Sequence, residues 1–235
     1  MADADRTDPG LLESHLRTDL PGSDRERVAH IAAEAARAFD SLSGVRKAVS
    51  IFGSAQADPE QRWGDSARDI ARRLAEEGFA VITGGGPGLM EAASQGAQGH
   101  GSSSIGLTID LPTQEAVNPY VELEVPFHYF FLRKLAFIKY ACAFVCLPGG
   151  FGTLDEMFEA LNLVCTHKLH PFPILLFDSE YWGGLVSWLR VEAVEAGTVT
   201  EDRVRLLEVV DDPEVIVERV GECHRTLCRR LGIAT

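Results

Sequence analysis

The sequence predicts an α/β fold: a parallel sheet covered by helices on both faces. Three observations lead there. Along the 235 residues, short apolar runs alternate with amphipathic stretches of ten or more residues, the pattern of successive βαβ units with right-handed crossovers. The runs AVSIF, FAVIT, AFVCL and PILLF are almost continuously apolar, as strands buried on both faces are. Several of these runs stop at glycine, where a strand can turn tightly into a helix. The expectation is therefore a single parallel sheet built from βαβ units. No repeat or low-complexity insert divides the chain, so a single domain over residues 23–235 suffices. Residues 1–22 mix Asp, Arg, Gly and Pro without a period and predict a flexible N-terminal tail.

Ser23 followed by Glu26 has the spacing of a capping box, and Val28, Ile31, Ala32, Ala35 and Phe39 recur on one face of the helix after it. The first strand, KAVSIFGSA, ends at Gly53-Ser54. Asp58-Pro59 then reads as an N-cap with proline at the first helical position, opening a helix that runs to Gly78. FAVIT is a second strand that stops at Gly84-Gly85-Gly86, and Pro87 to Gln98 is a short helix. SSSIGLTI supplies a third strand, Leu111 to Tyr120 is loop, and VELEV is a short strand. YFFLRKLAFIKYA has the length and apolar spacing of a buried helix. AFVCLPGG is a strand running into glycines, and the next helix extends from Thr153 to about His167. The strand PILLF, a helix from Tyr181 to Ala196, the strand LLEVV and a helix from Pro213 to Leu231 complete the chain.

A formal charge of −13, from 22 basic against 35 acidic residues, argues against any general attraction to nucleic acid or to an anionic membrane. A bound phosphate must then be captured locally. The opening MADADRTDPG lacks the basic and apolar regions of a signal peptide, and no stretch approaches the roughly 20 apolar residues that span a bilayer. A cytoplasmic protein is expected. The cysteines at 142, 146, 165, 223 and 228 are odd in number and lie in apolar segments, which points to reduced core thiols rather than a disulfide framework. Cys223, His224 and Cys228 lack the second ligand pair of a zinc site, so no metal is expected.

In a parallel sheet the ligand site lies beyond the carboxyl ends of the strands. Three strands end there in small or glycine-rich turns, at Gly53-Ser54, Gly84 to Gly88 and Pro148 to Thr153, and these should converge. Glycine lets the backbone approach a phosphate, and the unpaired N–H groups opening the next helix carry about half a positive charge. Neither glycine loop has the GxGxxG spacing of a dinucleotide site, and no P-loop Lys-Ser or Lys-Thr pair is present after them. Arg133 falls on a helix, and Glu156 falls in the first turn of the helix after LPGGFGT. A carboxylate beside a phosphate turn is unfavourable unless it serves a cation, such as the oxocarbenium-like state of a ribosyl group losing its base. Taken alone, the same residues also fit a carboxylate that complements the helix dipole and a solvated Arg133-Lys134 pair.

The runs GGGPGLMEAA (Gly84 to Ala93), YFFLRK (Tyr129 to Lys134) and LPGGFGTLDEMFEAL (Leu147 to Leu161) resemble, in this order and spacing, the Lonely Guy (LOG) family of cytokinin-activating phosphoribohydrolases. The motif PGGxGTxxExxE is matched in full, with Glu156 and Glu159 as its carboxylates. The resemblance covers roughly Lys47 to Phe177. It implies a Rossmann-like homo-oligomer built on a dimer, with active sites near the subunit interface. It also implies release of free base and ribose 5-phosphate from a nucleoside 5′-monophosphate such as AMP or an N6-substituted AMP, with no metal or organic cofactor. Carried over position by position, Arg133 and Glu156 match the catalytic pair, and Gly149, Gly150, Gly152 and Thr153 the phosphate loop. Gly85, Gly86, Met90 and Glu91 match the substrate loop, Ser54 the small residue after the first strand, and Lys134 and Glu159 complete the substrate-side set.

There are departures. YFFLRK stands where plant-type members have Met-His-x-Arg-Lys, which with the extra N-terminal helix places the chain nearer the longer bacterial branch. Gln56 stands where many of those members have Arg, removing one anion or ribose contact. Relatives once labelled lysine decarboxylases suggest a pyridoxal enzyme, but no pyridoxal-phosphate lysine signature is evident. Two alternatives to a cytokinin-type hydrolase stand beside it: a general nucleoside 5′-monophosphate nucleosidase acting in salvage, and a non-catalytic carrier of a phosphorylated ligand or pterin cofactor.

Overall fold

The computed structural model describes residues 24–100, 103–111, 116–170 and 172–233. The expected tail over residues 1–22 and the capping residue Ser23 lie outside the described residues. The elements are, in order, α1 (Asp24–Ser41), β1 (Ala48–Phe52), α2 (Arg62–Glu76), β2 (Ala80–Thr83), α3 (Leu89–Ala97), β3 (Ser104–Ile109), β4 (Leu123–Phe127) and α4 (Phe130–Tyr140). They continue with β5 (Phe144–Cys146), α5 (Phe151–Cys165), β6 (Ile174–Phe177), α6 (Ser179–Trp188), α7 (Glu201–Val204), β7 (Leu207–Val210) and α8 (Pro213–Leu231).

The seven strands of the described residues are all parallel, in the order β4-β3-β2-β1-β5-β6-β7, which is the parallel sheet that the apolar runs predict and the Rossmann-like fold that the family resemblance implies. Every residue of β1 is buried, and its side chains alternate between two cores. Val49 and Ile51 face α2, α3 and α8, while Ala48 and Phe52 face α1, α4, α5 and α6. The Phe52 ring packs edge-on against Phe137 and Phe144, with centroids 4.9 Å away in each case. Ser50, the polar residue of this strand, is fully buried and donates to the Phe137 carbonyl at 3.1 Å. Among the described residues no helix is long and apolar enough to cross a membrane.

Several local expectations need correction. The helix expected from Asp58-Pro59 starts at Arg62 instead, because Asp58 closes a separate turn. Its carboxylate accepts the Glu60 N–H at 2.9 Å, and its carbonyl accepts the Gln61 N–H at 3.2 Å. The strand expected at VELEV is displaced to Leu123–Phe127 and includes Pro126, which is tolerable because β4 is an edge strand with no partner beyond it. The helix after Tyr181 begins earlier, at Ser179, and beyond Trp188 it widens into a π-helical turn over Leu189–Ala193. α4 is not fully buried: Phe137 sits in the core at 1% exposure, but Phe130 and Phe131 are each 53% exposed.

The N-terminal helix finds its partners in β4 and α4. Glu34, buried on α1, accepts the backbone N–H groups of His128 and Tyr129, each at 3.0 Å. No α4 side chain caps that helix start, so a carboxylate from α1 supplies the acceptor. The extra helix thereby fixes the entry of the element that carries Arg133.

Candidate active site

The strand order reverses between β1 and β5, and a ligand crevice is expected beyond their carboxyl ends. The three small-residue loops do meet there. The Ser54 N–H donates to the Pro148 carbonyl at 3.0 Å, and the Leu89 N–H donates to the Ser54 carbonyl at 2.9 Å. A side chain at Gly149 would strike the Thr153 hydroxyl and come within 3.2 Å of the Ser54 nitrogen, so the loops can close only over glycine. Gly85 and Gly88 adopt left-handed φ values of 72° and 70° that let the chain turn between β2 and α3. Asn118 braces this turn through its N–H to the Gly85 carbonyl at 2.9 Å and its side-chain amide to the Gly86 carbonyl at 3.0 Å.

α5 opens at Phe151, two residues before the expected Thr153, with Gly150 as its cap residue. The amides of Gly150, Phe151, Gly152 and Thr153 have no acceptor among the described residues, as the first N–H groups of a helix do not. Positions 150 and 152 face open space, where a Cβ would meet nothing within 4 Å. Together they form an uncovered donor cluster at the positive end of a 15-residue helix, competent to hold an anion.

The earlier helix start moves Glu156 out of the first turn, which holds no acidic residue, and into the second. A carboxylate there gains little from the helix dipole, which fades beyond the first turn. Glu156 lies instead on the inward stripe of α5 with Thr153, Met157, Ala160 and Val164, and it is only 7% exposed. Its Oε2 atom has no hydrogen-bond partner among the described residues. Burial pushes the Glu156 carboxyl up to about 7, against the opposing pull of the Lys134 and Arg133 charges and with a further push from Glu159 and Asp155.

Arg133 is held by two main-chain acceptors, with Nε donating to the Leu107 carbonyl at 2.7 Å and Nη2 to the Gly84 carbonyl at 3.2 Å. It thus joins β3 to the glycine loop after β2. Burial lowers its pKa to about 10, and the nearby Glu156 charge partly restores it. The two groups feel each other's charge, yet no ion pair within 4.0 Å joins them among the described residues. Met90 packs in the same corner, since a Cβ on Gly84 would lie 2.5 Å from Arg133 Nη2 and 2.8 Å from Met90 Sδ. A Cβ on Gly86 would lie 2.9 Å from Met90 Cε.

Lys134 reaches across to α5 and pairs with Glu159 at 2.7 Å and with Asp155 at 3.0 Å. Burial pulls its pKa down, but these two carboxylates more than compensate, so the ammonium is held above its ordinary value. Lys134 and Glu159 are therefore engaged with each other. Glu91 sits half-buried in the first turn of α3 without a polar partner among the described residues, and Gln56 is exposed, its N–H donating to Ser54 Oγ at 3.1 Å. Among the described residues no cluster of three or more His, Cys, Asp or Glu could hold a metal ion.

Sequence reasoning missed Asn118 and Tyr181. The Tyr181 hydroxyl donates to the Gly149 carbonyl at 2.9 Å, from a residue 32 positions away on α6. No local period marks either residue. For Glu156 a signal was present: an acidic side chain in step with Thr153, Ala160 and Val164 on an otherwise apolar helical stripe.

Fold and site together define a class: a Rossmann-like α/β enzyme with uncovered amides at a helix start and a buried carboxylate close by. A family model described as "Possible lysine decarboxylase" matches residues 90–220. The cytokinin riboside 5′-monophosphate phosphoribohydrolase of Rhodococcoides fascians is 31% identical over 171 residues, 70% of this chain and 85% of that protein. A probable enzyme of the same name from rice, Oryza sativa subsp. japonica, is 28% identical, with 75% and 84% covered. The chain belongs to this family, the LOG family, whose named relatives are N-glycosyl hydrolases. Among solved structures, a molybdenum cofactor binding protein from Rippkaea orientalis matches with a TM-score of 0.54 at 24% identity, covering 76% of this chain and 98% of that one. The Moco carrier protein of Chlamydomonas reinhardtii matches with a TM-score of 0.54 at 20% identity, covering 77% and 99%. At these identities the likeness shows the fold alone.

Proposed function

We propose that this enzyme hydrolyses the N-glycosidic bond of adenosine 5′-monophosphate or its N6-substituted forms, releasing free base and ribose 5-phosphate. The observation that carries this reading is Glu156, a buried carboxylate with an unpartnered oxygen, one turn beyond the uncovered amides that open α5. The 5′-phosphate rests on the amides of Gly150 to Thr153, with Ser54 and Gly149 closing the loop behind it. That anchor brings the sugar to Glu156. As the base departs with a proton and the bonding pair, the carboxylate stabilises the positive charge at the anomeric carbon. It also orients the water whose hydroxyl replaces the base there, and the proton which that water gives up balances the one carried off by the base. Arg133 holds the glycine loop and balances the charge of Glu156, while Gly85, Gly86, Met90 and Glu91 face the remainder of the nucleotide. Lys134 and Glu159 fix α4 against α5 at the edge of the site.

The names of the relatives support this substrate class. The test is to incubate purified protein with a panel of nucleoside 5′-monophosphates and follow free base. Release from isoprenoid-modified AMP in preference to plain nucleotides is expected. Equal release from all of them makes it a general nucleosidase, and no release together with a co-purified phosphorylated ligand, found by mass spectrometry, makes it a carrier. Glu156→Gln should abolish turnover while nucleotide still binds. We also propose a homo-oligomer built on a dimer, supported by the exposed side chains of Phe130, Phe131 and Leu135 on α4 and Phe151 and Phe158 on α5. Light scattering that finds only single chains at every concentration would overturn it.

A further inference from the structure

We propose that Tyr181 is a positioning residue that sets the orientation of the phosphate-binding loop, and that Asp178 and Trp63 hold it in place. The inference rests on the reading of the α5 start as a phosphate site. A trans peptide points its carbonyl and the following N–H in opposite directions. With the Gly149 carbonyl fixed by the Tyr181 hydroxyl at 2.9 Å, the Gly150 N–H is aimed the other way, into the cluster of unpartnered amides. Two adjacent glycines offer little steric resistance to rotation of the peptide between them. Without the hydroxyl the Gly149 carbonyl is free to swing toward the anion and the Gly150 donor to swing away.

Tyr181 is itself held by more than its neighbours in sequence. Asp178, 3% exposed, accepts four hydrogen bonds on its carboxylate. Oδ1 takes the N–H groups of Glu180 at 3.0 Å and Tyr181 at 3.2 Å, which pins the start of α6. Oδ2 takes Trp63 Nε1 at 2.8 Å and Arg62 Nη2 at 2.9 Å, which ties that start to α2. Asp178 adopts a φ of 87°, a conformation that a residue with a side chain keeps only where its surroundings over-determine it. The Trp63 ring meets the Tyr181 ring edge-on, with centroids 5.7 Å apart, and fixes the direction of the phenol. A strained hub at the end of β6 that holds both the Tyr181 N–H and the Trp63 ring packed on that tyrosine is what a loop of two glycines needs for a single orientation.

The test compares wild type with Tyr181→Phe, which keeps the ring and removes only the donor. Calorimetric titrations use inorganic phosphate, AMP and adenosine as probes, each in a Glu156→Gln background so that nothing turns over. Tyr181→Phe should weaken phosphate and AMP by roughly tenfold, the weight of one hydrogen bond to a charged group, and leave adenosine unchanged. In the active enzyme KM for AMP should rise with kcat little altered, and the thermal midpoint should stay put. Equal weakening of AMP and adenosine, or no weakening of phosphate, would overturn the assignment. If the protein with Tyr181 intact fails to bind phosphate at all, the phosphate site falls and this inference with it. If it binds phosphate but releases no base, only the hydrolytic reading falls.

Discussion

Glu156→Gln should stabilise the protein at alkaline pH while destroying its activity. The carboxyl is 7% exposed, its Oε2 has no hydrogen-bond partner among the described residues, and burial raises it from the ordinary 4.5 to about 7. A group raised in the folded state contributes its stability below the unfolded value and loses it as pH climbs through the folded value. Wild type should therefore weaken between about pH 4.5 and pH 7 from this group and stay weakened above. At about 1.4 kcal/mol per unit the shift corresponds to about 3 kcal/mol, an upper value, since the amide offers NH2 donors that also need partners. A gain of about 1 to 3 kcal/mol is expected at pH 8, shrinking towards zero at pH 4.5. Urea denaturation of both proteins at pH 4.5, 6 and 8 measures it. A variant no more stable than wild type at pH 8, or a difference that does not change with pH, would refute the idea that an ionised carboxylate is held there against its own solvation.

In the wild-type enzyme kcat/KM should rise with pH through about 7, because in the proposed hydrolysis the ionised form of Glu156 is the one that stabilises a cation; a flat profile from pH 5 to 9 would contradict this. Arg133→Lys keeps the charge but cannot span the Leu107 and Gly84 carbonyls, so kcat/KM for AMP should fall at least about tenfold. Glu34→Ala leaves the amides of His128 and Tyr129 without their acceptor, and should cost about 1 to 3 kcal/mol in denaturation with faster hydrogen exchange at the start of α4.

The parts of this fold that could be read in advance are those where one physical cause acts along the chain. Strands buried on both faces must be apolar throughout, so AVSIF and ILLF stand out, and the helix expected from Pro213 to Leu231 matches α8 at both ends. A capping signal is less decisive at Asp58-Pro59, where the pair closes a turn three residues ahead of the helix. A capping pair shows that the chain changes direction; whether a helix begins at once depends on tertiary packing. In the site, the glycine loops and their meeting point were legible because a backbone that must come close to a phosphate or to another loop excludes a Cβ. The braces were not. Asn118, Tyr181, Asp178 and Glu34 act on main-chain groups or side chains 32 to 116 residues away, and no period in the sequence records such a pairing. All four are polar groups that hold the surroundings of the glycine loops or of Arg133, not groups placed to meet substrate. Glycine gives those loops room at the cost of definition, and definition has to be supplied from outside them. The sequence therefore marks the loops proposed to take the anion, whereas only the folded chain shows what holds those loops in one arrangement.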